Sequence, residues 1–163
     1  VMAKKKAKPV VDEIPLKFQY HEDFTAAPDG YIFVFGSNLS GFHGAGAAKA
    51  ALDYYGAKIG PAGGEGLHGK SYAIPTKDEW IQTREMPDII ESIIRFVAFT
   101  KENPELKFWV TQVGCGLAGL KVEDVAPYFY EAENCSFAEE WKDVLEACEL
   151  GEIEVSPEEV EAA

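Results

Sequence analysis

Cysteine is scarce in this chain of 163 residues: Cys115, Cys135 and Cys148 are the three, and no pair has Cys-x-x-Cys spacing. That excludes a disulfide scaffold and a paired-cysteine zinc site. The odd count, with no apolar stretch behind the N-terminal lysines, predicts free thiols in a reducing cytoplasm. No apolar run approaches the roughly 18–20 residues of a membrane span. His-Glu-x-x-His and Gly-x-Ser-x-Gly are both absent, so zinc-hydrolase and serine-hydrolase chemistry lack support and no metal is expected. Bases are also few, 15 against 28 acids, for a formal charge of −13. A surface of that sign repels nucleic-acid phosphate at long range, which argues against general DNA or RNA binding. No repeat of fixed period is present, which excludes a solenoid.

What is there suits one packed domain. Apolar residues make up 47% and charged residues 26%, close to the globular average. The charge is segregated. The first eight residues carry four lysines and no acid, and residues 131–163 carry twelve acids against one lysine. The expected organisation is a flexible basic tail at 1–15, a domain at 16–149 and an acidic tail at 150–163, where LGEIEVSPEEVEAA offers little apolar surface.

Tyr31 to Phe35, YIFVF, is bounded by Pro28-Asp29-Gly30 and Gly36, and reads as a strand buried on both faces. Ala47 to Tyr55 reads as a helix closed by Gly56. Residues 57–70 hold five glycines and read as loop. Ser71 to Ile74 is a short strand stopped by Pro75. Pro87 to Lys101 is the clearest helix, since Ile89, Ile90, Ile93, Ile94 and Val97 fall on one face. Phe108 to Val113 is a second buried strand, and Val122 to Glu131 is helical. Ser136 with Glu139 reads as a capping box opening a last helix whose apolar face is Phe137, Trp141, Val144, Leu145 and Cys148. Strands alternating with helices predict an α/β layer fold with a largely parallel sheet.

The chain twice runs strand, glycine-rich loop, helix: first through Gly36 to Gly46, then through Gly114 to Gly119. The first N–H groups of a helix lack partners and carry partial positive charge. Glycines let the backbone approach phosphate oxygens closely. Two such loops at one sheet end suit a diphosphate; the alternative is that they only permit tight turns. Gly114 to Gly119 is a literal Gly-x-Gly-x-x-Gly, but a dinucleotide site needs a second strand ending in an acid about 20 residues on. A helix is predicted there, around Glu139 and Glu140. Gly64 to Ser71 is a literal Gly-x-x-x-x-Gly-Lys-Ser, yet it precedes a strand-like segment where a phosphate loop needs a helix.

Single residues add less. Asn38 can serve a ribose diol or simply form a turn. His43 can move a proton or bond backbone. Cys115, at a helix mouth, is a site that favours a thiolate, or a small packing residue. Lys77 and Asp78 meet a ligand or form a surface ion pair.

Taken in order, these motifs resemble the macro domain family of ADP-ribose-binding modules, and more closely a macro-like group of bacterial and phage genomes. Gly36-Ser37-Asn38-Leu39 with Gly41 and Gly44-Ala45-Gly46-Ala47 is similar to that family's first loop. Gly66 to Thr76 is similar to the segment leading into a central strand, and Gly114 to Gly119 to the second phosphate loop. The likeness spans about residues 30–130. It implies a three-layer αβα fold with a mixed, largely parallel sheet and an ADP-ribosyl ligand across the strand carboxyl ends. By position, Asn38 would meet the distal ribose, and Gly36, Ser37, Gly41, Gly44, Ala45 and Gly46 would form one wall. Gly114, Cys115, Gly116, Leu117, Ala118 and Gly119 would form the other, with Pro75 and Thr76 between them.

Two departures matter. Ala47, Ala48 and Lys49 stand where hydrolytic relatives often place an acid, and Cys115-Gly116 replaces Ser–Thr. The resemblance also implies an adenine-contacting acid, for which Asp23 and Asp29 are the two candidates. The resemblance therefore implies binding more than catalysis. If a reaction occurs, water attacks the anomeric carbon or a terminal phosphate, positioned by His43 or Asp78. The alternatives are a P-loop-type NTPase through Gly64 to Ser71 and a non-catalytic nucleotide-sequestering factor. No cofactor is called for. The expected partner is a small ADP-ribose-like nucleotide, and the oligomeric state is not encoded in any motif.

Overall fold

The computed structural model describes residues 17–155. The expected basic tail at 1–15 lies outside them, as does the acidic tail beyond residue 155. Six strands form one sheet: β1 (Gln19–His21), β2 (Tyr31–Asn38), β3 (Gly66–His68), β4 (Ser71–Lys77), β5 (Lys107–Val110) and β6 (Cys135–Ala138). Their order is β1-β6-β5-β2-β4-β3. Every neighbouring pair is parallel except β3, which lies antiparallel on β4. The five parallel strands therefore present their carboxyl ends along one edge of the sheet, where open α/β sheets place ligands.

The helices are α1 (Gly46–Tyr54), α2 (Met86–Glu102), α3 (Val122–Val125) and α4 (Lys142–Glu149). Alternation along the strands sorts them into layers. Val34, Tyr72, Ile74, Phe108, Val110 and Phe137 pack with the buried faces of α2 and α4. Phe33, Phe35 and Ala73 point the other way, toward Ala51 of α1. The sheet is thus covered on both faces, as the expected three-layer arrangement requires. In α2, Ile89, Ile90, Ser92, Ile93, Phe96, Val97 and Thr100 are buried; of the stripe read from the sequence, Ile94 is only partly buried, and Ser92, Phe96 and Thr100 are added.

Four elements differ from the sequence reading. The segment at 135–138 is a strand, and the helix starts only at Lys142 after a 3-10 turn, Glu139–Trp141. All four residues of β6 are buried, so no two-residue alternation betrays it, and four residues are too few for a helical period. Pro75 does not stop β4. The edge strand covers β4 only as far as Ala73, paired with Gly66, so the missing N–H at Pro75 breaks no bond on that side. Arg84 donates to the Pro75 carbonyl at 2.7 Å. The segment at 122–131 is helical for one turn only, then 3-10 at Ala126–Phe129, because Pro127 lacks the N–H a continuing helix needs. The glycine-rich stretch at 57–70 contains β3, whose pairing with β4 turns at Gly69 with φ of 60°.

Ile93 is wholly buried beneath the sheet. Ile93→Ala is expected to destabilise the chain by about 2–5 kcal/mol, the usual cost of such a cavity. Urea denaturation followed by circular dichroism measures it.

Candidate functional site

Both glycine-rich loops leave the sheet at its carboxyl edge, from the neighbouring strands β2 and β5. A Cβ added to Gly36 would lie 3.3 Å from the Gly114 nitrogen and 3.4 Å from Thr76 Oγ1. A Cβ on Gly46 would lie 3.8 Å from Leu117 Cδ1. The loops therefore meet, and a cleft of about 870 Å³ runs between them.

Its walls expose backbone donors. Helix α1 begins without a side-chain cap and with no acid in its first turn. Lys49 N is the first to close a helical bond, to Ala45 O at 3.2 Å. The N–H groups of Gly46, Ala47 and Ala48 thus have no helical acceptor, and all three residues line the cleft. On the facing wall, Gly119 N bonds Gly116 O and Leu120 N bonds Gly114 O, which fixes the turn. Among the described residues, the N–H groups of Gly116, Leu117 and Ala118 donate to no backbone carbonyl. Among the described residues, Lys77, at the end of β4, is the one Lys or Arg on the lining, and Asp23 is the one carboxylate.

Most of the expected residues come together here. Gly36, Ser37, Asn38, Gly44, Ala45 and Gly46 stand on one side, Gly114 to Ala118 on the other, and Thr76 between them. Gly41, Pro75 and Gly119 are not on the lining. Gly41 has φ of 69°, and a Cβ there would fall 1.7 Å from Gly60 O. Only glycine lets the 57–64 segment pass beneath the first loop.

Asn38 lines the cleft, but three hydrogen bonds hold its amide within the loop. Oδ1 accepts from Ser40 Oγ at 2.8 Å and Phe42 N at 2.9 Å, and Nδ2 donates to Phe42 O at 2.7 Å. It shapes the loop from within. His43 is 3% exposed, has its Nε2 2.8 Å from the Lys58 carbonyl and sits edge-on to Phe35, away from the cleft. Asp78 is also off the lining, and its Oδ1 accepts from Trp80 N and Gln82 N. Lys77 and Asp78 therefore part company, one to the cleft and one to a turn.

Cys115 lies on the wall, yet burial pushes its thiol up to about 11, with the Trp141 side chain opposing. It is a packing group, not a thiolate. Gly114 to Gly119 leads into a helix of four residues. A strand does follow, ending before Glu139, so the predicted helix at that point is overturned. The acid lies outside the cleft all the same. Gly64 to Ser71 lies across the β3–β4 hairpin, so the strand–loop–helix order of a phosphate loop is absent. Among the described residues no cluster of three or more His, Cys, Asp and Glu could hold a metal.

Sequence reasoning missed the far end of the cleft. His21 and Trp109 stack there with ring centroids 3.8 Å apart, and the His21 Nδ1 lies 2.7 Å from Ser136 Oγ. Burial pushes the imidazole down to about 4, against the Asp23 carboxylate and the Val110 backbone. Gln112 Nε2 donates to Asp23 Oδ2 at 2.8 Å. Of the two acids left open, Asp23 is on the lining and Asp29 is not. A three-residue β1 has too little length for a pattern, so nothing in the sequence singled out His21.

A covered, largely parallel sheet with a two-loop cleft at its carboxyl edge has the macro-like α/β architecture. Solved structures carry the same shape. The macrodomain of Mycobacterium tuberculosis DarG superposes with a TM-score of 0.55 at 18% identity, covering 74% of this chain and 96% of its own. Alphavirus P23pro-zbd superposes at 0.52 and 13% identity, covering 88% of this chain but 25% of its own. No protein-family model matches the chain, and no curated protein matches it either.

Two outcomes are expected. Asn38→Ala removes three hydrogen bonds inside the first loop and should lower stability by about 1–3 kcal/mol, read as a lower Tm. His21 binds its proton less well folded than unfolded, so folding is opposed as pH falls from about 6.5 toward 4, and the contribution is flat above that window. The Tm difference between the native chain and His21→Gln should change across that range and stay constant from pH 7 to 8.

Proposed function

We propose that the cleft binds ADP-ribose or a close ADP-ribosyl relative, and that the chain acts as a binding module. The observation that carries this is the pair of facing amide sets: Gly46 to Ala48 at the start of α1, and Gly116 to Ala118 opposite. Two phosphates bridged by one oxygen suit such a gap. Each wall can donate to one phosphate, and the helix dipole favours anions at its N-terminus. Lys77 adds a cation within a chain of charge −13.

The two ends of the cleft suit the rest of the ligand. At the β1 end, Asp23 keeps one carboxylate oxygen beyond its bond to Gln112, able to accept from the exocyclic amine of adenine. The β4 end, with Thr76 and Lys77, would receive the distal ribose. The macro-like fold and the family resemblance of both loops support the same ligand.

Binding is favoured over hydrolysis by where the acids and bases lie. The lining carboxylate, Asp23, belongs to the β1 end, far from the distal ribose. His43 and Asp78, the groups expected to position water, are both turned to structural partners. An NTPase reading through Gly64 to Ser71 loses its footing in the β3–β4 hairpin.

Calorimetric titration with ADP-ribose, ATP and NAD, without added metal, tests this reading. ADP-ribose should saturate one site per chain. Gly116→Glu should abolish that binding while Tm stays unchanged, because a Cβ at Gly116 meets nothing within 4 Å and the carboxylate would enter the diphosphate gap. Full affinity in that variant would refute the assignment of the loop.

A further inference from the structure

Three residues other than glycine have positive φ among the described residues: Phe24 at 64°, Ile81 at 65° and Asn134 at 56°. Asn tolerates this conformation, whereas for a bulky or β-branched residue it is a genuine outlier. The two outliers are both large and apolar, and both line the cleft. Strain of this kind persists only where surrounding structure enforces it, and it clusters at ligand clamps.

Both turns are enforced. Around Phe24, Gln112 Nε2 holds the Asp23 carboxylate, Trp109 Nε1 donates to Thr25 O at 3.3 Å, and Ala27 N donates to Tyr55 Oη at 2.9 Å. The ring itself is 99% exposed, so it repays the strain with no packing inside the chain. Around Ile81, Asp78 Oδ1 accepts from the N–H groups on either side, at Trp80 and Gln82. Thr83 Oγ1 then donates to Ala118 O at 3.1 Å, which ties this turn to the second glycine loop. Asp78 is thus a positioning residue for Ile81.

The two residues stand at opposite ends. Phe24 follows β1 and Ile81 follows β4, and three strands, β6, β5 and β2, separate these in the sheet. At about 4.8 Å per strand spacing that is roughly 19 Å. A mononucleotide is too short to reach both, whereas a diphosphate with a sugar at each end can.

We propose that Phe24 and Ile81 are the two specificity-determining jaws of the cleft. Phe24 closes on the purine beside Asp23, and Ile81 closes on the distal sugar, so that the site selects a two-ended nucleotide over ADP. This rests on the ADP-ribosyl reading above and extends it to the choice of ligand length.

The experiment is calorimetry of the full chain with ADP-ribose and with ADP, for the native sequence, Phe24→Gly and Ile81→Gly. Glycine takes positive φ freely, so each variant should melt at the native Tm or above. Phe24→Gly should weaken both ligands about tenfold, the order expected for one lost base-stacking contact. Ile81→Gly should weaken ADP-ribose about fivefold, the order expected for one partly buried aliphatic contact, and leave ADP unchanged. Native affinity for ADP-ribose in both variants would overturn the proposal, as would equal losses for the two ligands in Ile81→Gly. A lowered Tm with unchanged affinity would make the residues structural and overturn it too. Failure of the native chain to bind ADP-ribose at all would instead reject the function proposed above.

Discussion

The approach of Gly36 to Gly114 at the ends of two adjacent parallel strands is the constraint on which the cleft depends. Parallel pairing of β2 with β5 sends both chains out of the sheet in the same direction. With a side chain at Gly36, a Cβ would stand 3.3 Å from the opposite backbone nitrogen and 3.4 Å from the Thr76 hydroxyl, a crowding that glycine avoids. Kept this close, the loops bring the start of α1 opposite the 116–118 turn. Their unpaired N–H groups then face one space. The sheet fixes the position of these amides, in a chain whose net charge opposes anions at long range.

The polar side chains that look reactive in the sequence mostly hold this arrangement in place. Asn38 closes the first loop through three hydrogen bonds, and Ser37 Oγ donates to Gly64 O at 2.5 Å. His43 reaches the Lys58 carbonyl beneath the same loop. Together with the close passage at Gly41 and Gly60, these contacts stitch the 57–64 segment to the first loop. A loop that dips toward the interior carries backbone groups that must find partners, and short polar residues supply them. Asp78 does the same for the turn that carries Ile81. The cleft therefore gathers backbone donors in the middle, a carboxylate and stacked rings at one end, and a cation and aliphatic groups at the other.

Much of the fold was legible. YIFVF and FWVTQV were apparent as buried strands because continuous apolar runs bounded by turn residues have few other uses, although the second strand ends at Val110. The stripe of α2 was apparent because 17 residues give a helical period room to repeat. The glycine loops were legible as loops, and their place before helices pointed to anions. What escaped were short elements: β1, β3 and β6, of three or four residues each, fall below the length at which any period can be counted. Pro75 was misread because its cost depends on whether a neighbouring strand needs its N–H, and that neighbour, β3, was itself invisible.

Sequence alone determined the layer architecture, the glycine turns and the amide-rich character of the site, since each follows from local pattern and backbone sterics. Only the tertiary structure decided that Asn38, His43 and Asp78 look inward to their own loops. It alone set Cys115 as a half-buried thiol on the cleft wall, brought His21 against Trp109, and placed Phe24 and Ile81 at the two ends of one cleft. Those outcomes depend on which partners lie within about 3 Å across distant parts of the chain, and hydrogen bonding, desolvation and strain are fixed by that proximity rather than by the order of residues.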